Sequence, residues 1–165
     1  GTIPSELQLL DGLVQLEISG NWLKGISAPF SSSIKRLVLA SNQLEGTFPE
    51  GLYEMTSLTL LDIGVNHLSG TISKDLSNLK AMEQLDLGDN EFTGTLTSEL
   101  HGLEDISLLF LTNNQFEGDI NEILEGLSTL RRIEAINNKL SGSLQPGFEQ
   151  KFPSLLRLEI SSNLL

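Results

Sequence analysis

Apolar and polar residues alternate in short segments that recur along the chain. Around Asn90, for example, Leu85 and Leu87 are separated by one residue, and Phe92 follows the asparagine by two positions. The same spacing returns around six further asparagines, so that one column holds Asn21, Asn42, Asn66, Asn90, Asn114, Asn138 and Asn163. The steps between them are 21, 24, 24, 24, 24 and 25 residues. A Leu-x-Leu alternation repeated at this interval predicts short strands that each bury one face and stack into a parallel sheet.

Two columns of the repeat indicate how the chain leaves each strand. The asparagine amide carries both donors and an acceptor, so each Asn is expected to satisfy backbone groups of its own loop and of the next coil. A glycine follows most of the asparagines by four residues, where it suits a bend with positive φ or a close approach of two backbones. The glycines of this column are Gly25, Gly46, Gly70, Gly94, Gly118 and Gly142.

Two coils differ from the others in the segment that follows the glycine. The stretch GISAPFSSSIKRL is three residues short, and Ile26 or Phe30 is expected to fill the space. The stretch LQPGFEQKFPSL has one extra residue, and Phe152 is expected to replace the displaced apolar position. Both irregularities are predicted to lie on the outer side of the array and to be structural rather than functional.

The repeat predicts a single array over residues 1–165. It has a partial coil at 1–9, six full coils over about 10–154 and a partial coil at 155–165. The opening GTIPSEL matches the second half of a coil, and the closing LEISSNLL stops before its glycine turn. With apolar residues left at both ends and no cap, the chain is expected to be a fragment of a longer array.

Charge and cysteine content narrow the classes of partner. The chain has 22 acidic and 10 basic residues and a formal net charge of −12. This balance repels phosphates and anionic lipid head groups, so we expect no nucleic-acid partner and no direct membrane contact in this segment. There is no cysteine, which excludes disulfides and thiolate metal sites but leaves the compartment open.

The stretches LDLGDNEFTGTLTSEL, LDIGVNHLSGTISKDL and GTIPSEL resemble the plant-type class of leucine-rich repeats, with the consensus LxxLxxLxLxxNxLxGxIPxxLxxL. The resemblance covers the whole chain. It implies an α/β-type repeat solenoid: a horseshoe with a parallel sheet on its concave face and irregular or 3-10 segments on its convex face. The consensus proline survives only as Pro4 and Pro49, and paired cysteine caps and glycosylation acceptors are missing. In these respects the chain looks more like the arrays of algae and other protists.

In such a solenoid the outward-facing strand residues line the concave surface and are the usual recognition positions. Leu108 and Phe110 are expected to face solvent at the centre of the sheet, beside Leu60 and Val65. Large exposed aromatic residues on such a surface are typical anchors of a binding patch. The alternative is that isolated exposed apolar residues are normal and that strands favour phenylalanine for its shape.

Charged residues complete the candidate surface. Asp62 and Asp86 should be neighbours on adjacent strands, and such like charges favour a basic partner or a cation. The alternative is a solvated acidic face, and because the spacing of a calcium loop is absent, no metal site is predicted. A surface salt-bridge ladder is predicted from Arg132, Glu134, Arg157 and Glu159. The candidate ligand-binding residues are therefore Leu60, Asp62, Val65, Asp86, Leu108, Phe110, Arg132 and Glu134.

Catalysis is not expected. His67 and His101 are the only histidines, and the repeat frame brings neither together with a serine and an aspartate. No cofactor motif is present, although a kinase domain could lie outside this chain. The resemblance implies a module that binds a protein or peptide on its concave face, in the extracellular part of a receptor-like signalling protein at the cell surface. A soluble scaffold, a secreted enzyme inhibitor and a cytoplasmic location remain alternatives.

Overall fold

A computed structural model describes residues 1–26 and 30–165. Within these ranges the chain forms fourteen short strands: β1 (Thr2–Ile3), β2 (Gln15–Glu17), β3 (Gly25–Ile26), β4 (Arg36–Val38), β5 (Glu45–Gly46), β6 (Leu60–Asp62), β7 (His67–Thr71), β8 (Gln84–Asp86), β9 (Glu91–Gly94), β10 (Leu108–Phe110), β11 (Gln115–Asp119), β12 (Arg132–Glu134), β13 (Lys139–Ser141) and β14 (Arg157–Glu159). Every pairing among them is parallel, as a solenoid of stacked coils requires.

The first sheet is the one that the leucine pattern predicts. Its seven strands lie in chain order, β2-β4-β6-β8-β10-β12-β14. The middle residue of each strand points inward, and Leu61, Leu85 and Leu109 stand in register and are fully buried. The first and last residues of each strand point outward onto the concave face of the solenoid, where the candidate residues lie.

A second parallel sheet was not predicted. Its five strands, β5-β7-β9-β11-β13, follow the asparagine turns. The column glycines predicted bends, but Gly70 and Gly94 have positive φ and also pair with the strands of neighbouring coils. At Gly94 φ is 82°, and an added Cβ would lie 2.9 Å from the Cγ2 methyl of Thr71 in the preceding coil. Glycine is thus required because the coils approach closely at this column.

The remaining side of each coil is helical and closes the core. It holds 3-10 turns at Ser5–Leu9, Glu50–Glu54 and Lys74–Asn78, and single α-helical turns α1 (Thr97–Leu100), α2 (Ile120–Ile123) and α3 (Phe148–Lys151). The short coil is filled by Phe30, which is buried, whereas Ile26 is only half-buried. Phe152 is buried in the long coil, as predicted, and packs 4.6 Å from the ring of Phe148.

The asparagine column forms the predicted ladder, but with the opposite direction along the stack. The Asn66 Nδ2 group donates to the carbonyls of Ile63 and Gly64 in its own loop, at 3.0 and 3.1 Å. It also donates to the carbonyl of Leu39, and its Oδ1 accepts from the N–H of Leu44 at 3.0 Å. Both of these residues belong to the preceding coil, so the expectation of bonds to the next coil was wrong. The amide points back along the stack, toward the residues that flank Asn42.

Candidate ligand-binding surface

The outward residues at the carboxyl ends of four central strands form one straight row. Asp62 on β6 pairs with Asp86 on β8, Asp86 pairs with Phe110 on β10, and Phe110 pairs with Glu134 on β12. Strands in a sheet are about 4.8 Å apart, so the row of four is about 14 Å long. These four residues are called the central row. It brings together four of the eight candidate residues, two of them acidic neighbours as predicted.

Phe110 is held in place by its charged neighbour rather than standing free in solvent. Its side chain is half-buried, and the Arg132 guanidinium lies over the ring at 5.2 Å from the centroid. Arg132 in turn donates from Nε and Nη2 to the carboxylate of Glu134. The sequence predicted an exposed aromatic ring, and the structure shows that a cation–π contact covers part of it.

The predicted ladder of alternating charges is confirmed beside this contact. Arg157 donates to Glu159 at 2.6 Å and reaches Glu134 at 3.4 Å. Glu134 is therefore placed between two arginines. The ion pairs thus help to hold the Arg132 guanidinium over the Phe110 ring.

The two aspartates bind the turns that follow their own strands. Asp62 Oδ1 accepts from the N–H of Gly64 at 3.0 Å, and Asp86 Oδ1 accepts from the N–H of Gly88 at 2.9 Å. An added Cβ on Gly64 would lie 3.1 Å from Asp86 Oδ1 and 3.3 Å from Asp62 Oδ1. The repeated Asp-x-Gly motif thus brings both carboxylates close to the same stretch of backbone.

Burial raises the pKa of both carboxyl groups, and like charge adds to the increase at Asp86. Burial is the largest cause for Asp86, whose pKa rises to about 6, and the charges of Asp62, Asp89 and Glu134 add to the increase. The hydrogen bond from Gly88 opposes it. The pKa of Asp62 is raised as well, chiefly by burial, against the hydrogen bond from Gly64. A cation placed beside this pair would stabilise its ionised form, which is the chemistry of a site for a basic group.

Leu60 and Leu108 lie at the other end of the strands and do not join Phe110. They flank Gln84 on β8, and the residues around them leave a depression of ≈ 90 Å³. Leu108 is half-buried, but Leu60 is only 8% exposed, because Arg36 and Gln84 of the adjacent strands lie directly beside it. The expectation that Leu60 faces solvent was therefore wrong.

Val65 is exposed, as predicted, but it belongs to a different surface. It follows Gly64 in the turn beyond the strand and has 52% of its surface exposed. There it lines a depression together with His67 and with Trp22, which is 76% exposed. Trp22 was not predicted as a site residue. The residues that directly follow the other column asparagines are mostly polar, so the sequence itself marks Trp22 as an exception.

In the described parts of the chain, no group of three or more His, Asp or Glu side chains could hold a metal ion. Within residues 1–26 and 30–165, no helix has the length and apolar character that crossing a bilayer requires.

Comparisons with known proteins support the repeat fold. A family model described as Leucine rich repeat matches residues 32–92. No curated protein matches the chain. Among solved structures, the chain is similar to a TDR receptor, with a TM-score of 0.88 and 30% identity over 98% of this chain and 28% of that one.

Two further solved structures are informative. One is the Arabidopsis receptor kinase HAESA in complex with the peptide hormone IDA and the co-receptor SERK1, with a TM-score of 0.81 and 28% identity over 98% of this chain and 28% of that chain. The other is a plant ice-binding protein, with a TM-score of 0.71 and 26% identity over 98% of this chain and 61% of that one. The chain therefore spans less than a third of the length of the two receptor chains.

Proposed function

We propose that this chain, a leucine-rich-repeat array of the plant type, is a recognition module that binds a protein or peptide ligand on the concave face of its seven-stranded sheet. The observation that carries the proposal is the central row. Asp62 and Asp86, whose pKa values are raised, lie on one side of Phe110, and Arg132 of the strand on the other side lies over the Phe110 ring. Similar structures support it, since the HAESA structure is a complex with a peptide hormone.

The central row specifies the chemistry of the ligand. Phe110 offers an aromatic edge for an apolar side chain, and aromatic residues supply much of the binding energy in protein interfaces. Asp86 lies one strand away and Asp62 two strands away, and both would accept a lysine, an arginine or an N-terminal amine. The ligand is thus an extended segment that carries an apolar residue and, about 5–10 Å away, a basic group.

We place the module in the extracellular part of a receptor-like signalling protein. Support comes from the similar structures, which include ectodomains of plant membrane receptor kinases. The binding role is proposed for the chain itself, and the signalling role for the protein to which it belongs. A leader peptide and a membrane span in the parent sequence are the expected findings, and a parent sequence with neither would favour the scaffold or inhibitor role.

A selection from a random dodecapeptide library displayed on phage tests the binding role. Peptides enriched on the wild-type chain are expected to combine an apolar and a basic residue. Their dissociation constants, measured by calorimetry, should rise about tenfold or more with Phe110→Ala and with Asp86→Asn. Gln15→Ala, on the same face at the far end of the sheet, is the matched control and should change nothing. Peptides that bind both central-row variants as tightly as the wild type would refute the proposal.

A second candidate function is favoured by the five-stranded sheet. Thr47, Thr71 and Thr95 follow the column glycines in three consecutive coils and are exposed. The Cγ2 methyl of Thr71 lies over Gly94, and that of Thr47 lies over Gly70, where an added Cβ would be 3.2 Å away. The hydroxyls thus repeat at the strand spacing of about 4.8 Å with side-chain orientations restricted by packing. We propose that this face adsorbs to an ordered solid such as ice; one similar structure is that of a plant ice-binding protein.

An ice-recrystallisation assay tests this second candidate. The wild-type chain should slow the coarsening of ice grains, and Thr71→Lys should abolish the effect by placing a long charged side chain in the array. Gln15→Lys adds the same charge to the other sheet and should leave the effect intact. Grains that coarsen equally with and without the wild-type chain would eliminate the candidate.

A further inference from the structure

The residues that precede the column asparagines share a left-handed backbone conformation. Among the described residues, φ lies between 53° and 56° at Ser41, Val65, Asp89, Asn113, Asn137 and Ser162. Asparagine and aspartate tolerate this region, because their short polar side chains can bond locally. A β-branched valine is a genuine outlier there. Val65 therefore keeps an apolar side chain at a position whose backbone geometry disfavours it.

The left-handed backbone conformation of Val65 lowers the stability of the fold. It persists where the surrounding structure imposes it, and such positions concentrate at binding and switch sites. The neighbouring coil at the same position shows the unstrained solution, since Asp89 and Asn113 join there through a 2.6 Å hydrogen bond. Val65 cannot form such a bond, and its side chain is half exposed to solvent instead of packing in the core.

A second exception lies on the same surface. The column that follows each asparagine is polar in five of the seven coils and reads Trp22, Gln43, His67, Glu91, Gln115, Lys139 and Leu164. Trp22 has 76% of its surface exposed, although burial of a tryptophan is strongly favourable. The two exceptions, Trp22 and Val65, are thus an aromatic and an aliphatic side chain that both remain accessible.

The two side chains line one open depression on this surface. Trp22 lies in one coil and Val65 two coils further along, which separates them by about 10 Å at the strand spacing. The intervening coil contributes the polar residues Ser41, Asn42 and Gln43 to the lining. The resulting depression has a volume of ≈ 400 Å³, and His67 borders it beside Val65. This depression is called the slot; with Trp22 and Val65 on its two outer coils and polar side chains on the coil between them, it can receive one large apolar side chain of a partner.

Charge indicates which partner fits. Val65 directly follows Gly64, whose α-carbon is close to the carboxylates of Asp62 and Asp86. A partner chain that enters the slot therefore passes a negative region. A second copy of this chain is disfavoured, since each copy carries a net charge of −12. The favoured occupant is a protein segment in which a large apolar residue is flanked by lysine or arginine.

We propose that Trp22 and Val65 form a docking slot, separate from the central row, for a basic protein segment that inserts one apolar side chain. The slot lies beyond the strands, at the edge of the solenoid where the chain turns from the first sheet to the second. The basic flank of the segment would lie near Asp62 and Asp86, so a ligand on the central row would compete with it for these two carboxylates.

Trp22 is the only tryptophan and reports directly on the slot. Three blocked decapeptides of glycine and serine serve as probes, with Lys-Leu-Lys, Glu-Leu-Glu or Lys-Ser-Lys at their centre. The Lys-Leu-Lys peptide should shift the Trp22 emission to shorter wavelength and protect it from acrylamide in a saturable manner. The other two should bind about tenfold more weakly or not at all. Equal responses to all three peptides would overturn the proposal.

Variants separate docking from folding and from the concave face. Val65→Asn should weaken binding of the Lys-Leu-Lys peptide about fivefold or more while raising the thermal midpoint, so loss of binding cannot be blamed on unfolding. Leu156→Asn, at another highly exposed apolar position, and Phe110→Ala should leave the Trp22 response unchanged. A response that survives Val65→Asn would refute the slot. So would a dimer in sedimentation equilibrium that Val65→Asn dissociates, because the occupant would then be a second copy.

Discussion

Replacing Asn90 by alanine removes four hydrogen bonds but leaves mainly one buried group unpaired. Asn90 Nδ2 donates to the carbonyls of Ile63, Leu87 and Gly88, at 3.1, 3.2 and 3.1 Å. These carbonyls keep other donors after the change, namely the amides of Asn66 and Asn114 and the N–H of Val65. The N–H of Leu68, bound by Asn90 Oδ1 at 3.0 Å, loses its described partner. A buried donor without a partner costs about 1–3 kcal/mol, which is the expected loss for Asn90→Ala.

Asn90→Asp makes a sharper test because it keeps the acceptor and removes the donors. At neutral pH a carboxylate would still accept from Leu68, but it would face three carbonyl oxygens in a buried site. An uncompensated buried charge costs about 3–5 kcal/mol, so aspartate should be worse than alanine. Burial and the carbonyls raise the pKa of the introduced carboxyl group in the folded state. Its penalty should therefore shrink as the pH falls, since a protonated carboxyl group can donate to one carbonyl.

Urea unfolding at pH 7.5 and pH 4.5, followed by circular dichroism, measures both effects. Asn78→Ala is the control, because Asn78 is exposed at the end of the Lys74–Asn78 turn, away from the ladder, and it should change stability by about 0.5 kcal/mol or less. The ladder account fails if Asn90→Ala is neutral. It also fails if Asn90→Asp is the more stable of the two variants at pH 7.5.

Three further predictions follow from individual contacts. Asp86→Asn should stabilise the fold by about 1–2 kcal/mol at pH 7.5 and should be nearly neutral at pH 4. The raised pKa of Asp86 means that the wild-type fold loses stability as the pH rises from about 4 to about 6, and the expected gain is smaller than the full pKa shift implies because the group is partly exposed. Urea midpoints at the two pH values check this. Gly94→Ala should cost about 1–2 kcal/mol in calorimetry through its positive φ and its contact with Thr71, whereas Gly12→Ala, with open space around it, should not. Val65→Asn should raise stability by about 1 kcal/mol in thermal unfolding, and a lower midpoint would mean that Val65 is not strained.

The sequence predicted those parts of the structure that depend on one residue type at one spacing. The leucine alternation predicted the seven-stranded sheet, and the asparagine column predicted the hydrogen-bonded ladder, because one amide per coil can satisfy the turns only if the coils stack. The second sheet was missed because Gly94 and its equivalents indicate bends when each coil is considered alone. Their pairing depends on a contact between coils, in which the methyl group of Thr71 lies over Gly94.

The candidate surface was harder to predict because exposure depends on neighbours in space. Leu60 is an outward residue by its position in the strand, but it is buried between Arg36 and Gln84 of the adjacent strands. Phe110 has the same strand position, yet Arg132 lies over only part of the ring. The slot at Trp22 and Val65 joins coils that are two repeats apart. No pattern within a single coil could have indicated that these two exceptions meet.

Hydrogen–deuterium exchange with a library-selected peptide tests the central claim most directly. At saturating concentration of the peptide, protection should appear in β8, β10 and β12, whose outward ends carry Asp86, Phe110 and Glu134. Strands β9 and β11 of the second sheet should exchange as before, and the protection should be lost with Phe110→Ala. Protection confined to the second sheet or to the helical side, with β8, β10 and β12 unchanged, would contradict the assignment of the central row as the ligand-binding surface.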